Sequence, residues 1–111
     1  MSIRYSDYTV EQLRKELGEL QEKRQTAEQL GEVNKVAIYE RKMQIVSSYM
    51  LNPDDFVVDE LYQIKGDPGY RFHLNMVNGI MGWGHRVNLL EEKHEKEEAL
   101  PLAMLEVIKK K

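Results

Sequence analysis

Apolar residues recur at two different periods along this chain, and the change falls at Asn52-Pro53. Before it, Val10, Leu13, Leu17 and Leu20 continue through Ala27 to Leu30 in steps that place them on one stripe of an α-helix. Thr9-Val10-Glu11-Gln12 is a capping-box pattern at the start of that stripe, with Thr9 as N-cap. Gly31 follows its end, where a helix terminus favours a residue that tolerates left-handed backbone. A second helix gathers Val33, Val36, Ala37, Met43, Val46 and Met50 on one face. It stops at Asn52, because the ring of Pro53 denies the residue before it the helical conformation. So short a connection makes the two helices antiparallel.

Beyond Pro53 the pattern is that of strands. Leu61-Tyr62-Gln63-Ile64 is a short strand, and Gly66-Asp67-Pro68-Gly69 is a turn cluster. Tyr70 to Met76 alternates apolar and polar residues strictly, as a half-buried strand does. Asn78-Gly79 is a hairpin signal, and Ile80 to Val87 is the partner strand. Leu100-Pro101-Leu102 forms a last strand, at an edge or a bulge because Pro101 has no backbone donor. The tail from Ala103 to Lys111 is apolar enough for a short helix before its terminal lysines.

A two-residue Asn78-Gly79 turn predicts the register. Met76 then meets Met81, Leu74 meets Trp83, Phe72 meets His85 and Tyr70 meets Val87, forming the core face. The opposite face pairs Asn75 with Gly82, His73 with Gly84 and Arg71 with Arg86. On this reading Trp83 and His85 belong to the core; the competing reading makes Trp83 a base-stacking platform and His85 a base or ligand.

Charge and composition bound the partners. The 111 residues carry a net charge of −3, so no global basic field gathers nucleic acid, and an anion site must be local. Seven Lys/Arg meet seven Glu between residues 10 and 50, so the excess acid lies in the second half. With no cysteine there is no disulfide framework, thiolate metal site or thiol nucleophile. No run of about 18 apolar residues spans a membrane, and the first residues lack a signal-peptide core, so a cytoplasmic protein is expected. No P-loop, GxGxxG, HExxH or GxSxG is present. His73, His85 and His94 are too scattered to define a metal site, and no cofactor is expected. The Asp54, Asp55, Asp59 and Glu60 cluster reads as turn chemistry, and Glu91 to Glu98 as a solvated loop.

Several runs taken in order are similar to the YfhH family of small, functionally uncharacterised proteins of Gram-positive bacteria. They include Arg4-Tyr5-Ser6, Ala27 to Asn34, Glu40-Arg41-Lys42-Met43 and Tyr49-Met50-Leu51-Asn52-Pro53. Gly66-Asp67-Pro68-Gly69, Asn78-Gly79, Gly82-Trp83-Gly84-His85-Arg86 and Glu97-Glu98-Ala99-Leu100-Pro101 complete the likeness. It implies a helical hairpin packed against an SH3-like small barrel. With the short C-terminal helix read from the tail, the expectation is a hairpin over residues 1–52 and a barrel module over 53–111, together one compact α+β unit. It also implies a regulatory or nucleic-acid-associated role, by analogy of fold alone.

The sharpest candidate site is the strip of Arg71, His73, Asn75, Gly82, Gly84 and Arg86. Two guanidinium groups facing each other are unfavourable unless something anionic answers them, and bare glycine backbone beside them leaves room for it. The competing reading makes the glycines a bulge or a point of close approach, with each arginine paired to a nearby glutamate. The expectation is a non-enzymatic, regulatory binding module, with nucleic acid and a protein partner evenly balanced as ligands. The alternative is a scaffold or homodimer acting through helix residues such as Ile38, Ile45 or Tyr49.

Overall fold

The helix start encoded at Thr9 is made as expected. In a computed structural model, which describes residues 4–108, Gln12 N donates to Thr9 Oγ1 at 3.1 Å and Thr9 N donates to Gln12 Oε1 at 2.8 Å. Helix α1 runs Val10–Gln29 and α2 runs Val33–Tyr49. Between them Gly31 sits at φ 72°; Gly31 N donates to Glu28 O and Glu32 N to Ala27 O, the two bonds of a Schellman cap. Leu13 and Leu20 of α1 and Val46 of α2 form the buried centre of this hairpin. Tyr39 and Tyr49, outside the stripe read from the sequence, also pack on that centre, whereas Val33 is 76% exposed.

The short 3-10 turn Tyr5–Asp7 adds Tyr5 and Tyr8 to the same cluster. Tyr5 Oη donates to Glu16 Oε1 at 3.3 Å. Partial burial first, and then the Glu16 carboxylate, push the Tyr5 phenol above the ordinary value near 10. A raised value means the neutral phenol stabilises the folded unit below that ordinary value and stops doing so as pH climbs through the folded one. An absorbance titration of the folded protein should therefore include a late tyrosine step above the ordinary value. Tyr5→Phe should remove that late step; a variant titrating like the parent would contradict it.

The chain divides into two compact units between Leu51 and Asn52. In the second, β1 (Leu61–Ile64), β2 (Asp67–Asn78), β3 (Met81–Asn88), β4 (Glu98–Pro101) and β5 (Leu105–Val107) make one antiparallel sheet in the order β4-β3-β2-β1-β5. The α+β class holds. The sheet is open, with β4 and β5 as its edges, so its strands do not close on themselves as a barrel. Pro101 lies in edge strand β4, where its missing donor is harmless.

The expected C-terminal helix is not formed over the described residues. Leu102–Met104 make a 3-10 turn, and Leu105–Val107 pair with β1. Leu102 and Leu105 both enter the core beside Tyr62, Ile64, Phe72, Leu74 and Leu100. Serving as β1's second partner outweighs the weak helix preference of so short a tail. The terminal lysines, Lys109 to Lys111, lie outside the described residues.

The hairpin register also departs from expectation, in two steps. The closing pair is Asn78↔Met81, with Gly79 and Ile80 in the turn. Gly79 has φ 60° and Ile80 does not share a positive φ, which places glycine first, as in a type II′ turn. A bulge at Asn75 then sets two β2 residues against one of β3 between Met76↔Trp83 and Leu74↔Gly84. One extra residue exchanges the two faces. Phe72 and Leu74 therefore share the inner face with Gly84 and Gly82, while Met76 joins Trp83, His85 and Val87 on the outer one.

Candidate binding face of the C-terminal sheet

Inside the sheet the glycines make space. A Cβ on Gly82 would stand 2.9 Å from Leu74 Cδ1 and 3.2 Å from Leu105 Cδ1. A Cβ on Gly84 would overlap the His73 carbonyl oxygen and lie 3.1 Å from Phe72 Cε2. Neither glycine belongs to an outer strip, which corrects that part of the expected site. Both occupy the inner face: leucines of β2, β5 and the 3-10 turn fill the volume a Gly82 side chain would have taken, and the β2 backbone at His73 with the Phe72 ring fills that of Gly84.

Arg86 is likewise not opposite Arg71. Its partner in the register is Phe72, and Arg71 faces Val87 on β3 and Gln63 on β1. Arg86 Nε donates to both Glu98 oxygens at 3.0 Å, and its Nη1 is bonded to Asp67 Oδ2. The guanidinium also lies 5.9 Å from the centre of the Tyr70 ring. Arg86 thus ties β3 to the start of β2 and the start of β4, as the competing reading of an arginine paired with a nearby glutamate anticipated. Glu98, expected at the end of a solvated loop, is the first residue of β4.

The bulge residue Asn75 donates from Nδ2 to Glu97 Oε2 at 3.1 Å. What remains of the expected site is Arg71 and His73, and the true register gives them new neighbours. His73 pairs with His85 across the strands, Trp83 lies beyond with Met76 on one side and Ala99 on the other, and Lys93 reaches in from the β3–β4 loop. Trp83 and His85 are half-buried here and correct the expectation that they belong to the core.

The two histidines are held by different means. Lys93 Nζ lies 3.1 Å from His73 Nδ1, and an ammonium only donates, so Nδ1 carries the lone pair and the Nε2 proton faces Asp59 Oδ1 at 3.8 Å. Asp59 takes φ 71°, and its N–H donates to Leu74 O, which holds its backbone beside β2. His85 Nδ1 is 2.8 Å from the His94 carbonyl, which only accepts, so its proton is on Nδ1 and its Nε2 presents a lone pair. Arg71 is exposed and has no hydrogen-bond or ion-pair partner among the described residues. No three His, Cys, Asp or Glu among the described residues come together as a metal set. The chemistry on offer is an aromatic plane, two imidazoles and two cationic side chains on one pleated surface.

The sequence reading favoured the core for Trp83, His85 and Met76, and gave Lys93, in a loop read as solvated, no link to His73. The available signal was the pair Gly82 and Gly84, since glycines spaced by two in a strand mark one face as crowded.

Two comparisons cover nearly the whole chain. The family described as "Protein of unknown function (DUF1811)" matches residues 3–106. The chain is also 36% identical over 106 residues to a protein of Bacillus subtilis (strain 168), "Uncharacterized protein YfhH", across 96% of this chain and 97% of that one.

Proposed function

This chain belongs to the DUF1811 family, and on that premise we propose that it is a non-enzymatic, regulatory binding protein whose outer sheet face takes single-stranded nucleic acid. The observation that carries the reading is Trp83, an aromatic side chain outside the core, on the same face as Arg71, whose side chain has no partner among the described residues. Every base has a π-face, so a tryptophan on a sheet, with cations along the strand, engages single strands with little regard to sequence. His73 and His85 lie between the two and add planar surface. We read the open sheet as an SH3-like small barrel left unclosed between β4 and β5, on its strand order: four strands meander, a 3-10 turn follows, and β5 returns to β1. Among the described residues no helix is long and apolar enough to cross a membrane.

Net charge limits the electrostatics to local contacts. With Arg71 and Lys93 as the phosphate contacts, log affinity should fall against log salt with a slope of about −1.4, shallow for a nucleic-acid binder. Trp83→Ala should weaken binding by about 1–3 kcal/mol, the loss of one stacked base. Fluorescence anisotropy with labelled single-stranded DNA and RNA, at low and moderate salt, measures both. Arg71→Glu combined with Trp83→Ala should abolish the signal while circular dichroism stays native. Silence of the folded parent protein toward both strands at low salt would overturn the reading and point to an acidic protein partner.

A further inference from the structure

Beside Arg71, at the end of the sheet where residues of both faces meet, lies a groove of about 320 Å³. The β1–β2 turn supplies Lys65, β2 supplies Pro68, Tyr70 and Arg71, and Leu89 comes from the loop after β3. From the groove we infer that the face engages a strand by its end: Arg71 and Lys65 form a site for a terminal phosphate. This rests on the nucleic-acid reading given above and adds where the strand begins.

Charge is the first argument. Arg71 has no partner among the described residues, and Lys65 is held only loosely, 4.0 Å from Glu106 Oε1, with both side chains about half exposed. Of the two carboxylates that line the groove, Asp67 is committed to Arg86, and Glu106 is the one beside Lys65. A phosphodiester brings one negative charge, whereas a terminal phosphate monoester brings between one and two at neutral pH and three acceptor oxygens. A guanidinium takes two of those oxygens in parallel, and an ammonium reaches the third as a point charge.

Position is the second. The groove is lined by a tight turn, in which Gly66 has φ 78°, and by the β3–β4 loop, so it sits where the open face gives way to connecting backbone. That loop is itself fixed: Leu90 N and Glu92 N both donate to Asn88 Oδ1 at 2.9 Å, which sets Leu89 at the groove. Pro68, Tyr70 and Leu89 give the first nucleoside an apolar wall. From Val87, the partner of Arg71, to Trp83 is four residues along β3, roughly 13 Å at a strand's rise. A strand anchored by its end phosphate therefore runs along the face toward the tryptophan.

The test compares three labelled strands of one sequence by anisotropy: 5′-phosphorylated, 3′-phosphorylated and unphosphorylated. One phosphorylated form should bind at least tenfold tighter than the unphosphorylated strand, and which one gives the strand's direction. In Lys65→Gln/Arg71→Gln all three should bind alike, with native circular dichroism. Equal affinity for all three strands in the parent protein, with Trp83→Ala still weakening them, would overturn the terminal site and leave the face reading intact. Absence of binding to any of the three would overturn both.

Discussion

Gly84→Ala is expected to cost the C-terminal unit at least about 3 kcal/mol, enough to lower its melting temperature by at least about 10 °C. The added methyl group would overlap the His73 carbonyl oxygen and stand 2.9 Å from the carbon behind it. Those atoms belong to the β2 backbone beside the bulge, so no rotamer change relieves the collision. Gly82→Ala meets only the ends of leucine side chains, which can shift, and should cost about 1–3 kcal/mol. Gly18 is the control: it lies within α1 with nothing near its would-be Cβ, and alanine there should stabilise by about 0.5–1 kcal/mol. Thermal melts followed by near-ultraviolet circular dichroism of Trp83 report the sheet specifically. A Gly84→Ala protein melting with its parent would mean that the bulged register is wrong.

The second large effect belongs to Arg86. Arg86→Glu would set a third carboxylate between Asp67 and Glu98, at a site where the three side chains are only 23%, 34% and 33% exposed. Breaking a fully buried pair costs about 3–5 kcal/mol and an exposed one under about 1; this partly screened site should fall between, at about 2–3 kcal/mol. Arg71→Glu, on the open face, should stay within about 0.5 kcal/mol of the parent. Denaturant unfolding of the two charge reversals compares them directly. Similar losses for both would refute the assignment of one arginine to the fold and the other to the surface. The contrast also decides which arginine can probe binding, since loss of binding in an Arg86 variant would report a damaged sheet.

Signals within a few residues of one another carried furthest. Thr9 with Gln12, and Gly31, each act on backbone next to them, and α1 begins and ends accordingly. Helix α2 ends at Tyr49, ahead of the expected stop at Asn52, which instead caps the 3-10 turn that Pro53 opens. The strands β1, β2, β3 and β4 were also legible from alternation and turn residues. What the sequence concealed was set by distant residues. Alternation in Tyr70 to Met76 is unbroken as text, yet the bulge at Asn75 splits it between two faces. The reason for it arrives some thirty residues later, where Leu102 and Leu105 fill the space above Gly82. Of the expected site, Arg71 and His73 remain together, Asn75 is turned to Glu97, and Gly82, Gly84 and Arg86 serve the inner face.

The β1–β5 pairing bears on how the protein acquires its structure. Tyr62 cannot meet Val107 until nearly the whole second unit has been made, whereas Met76 meets Trp83 almost at once. Loop-closure entropy favours the local hairpin as the early event and delays the long-range pair. During synthesis on a ribosome, then, the helical hairpin and the β2–β3 ribbon can form while β1 still lacks its second neighbour. In that interval its free edge is open to pairing with another nascent chain, which is the moment this small protein is most exposed to aggregation.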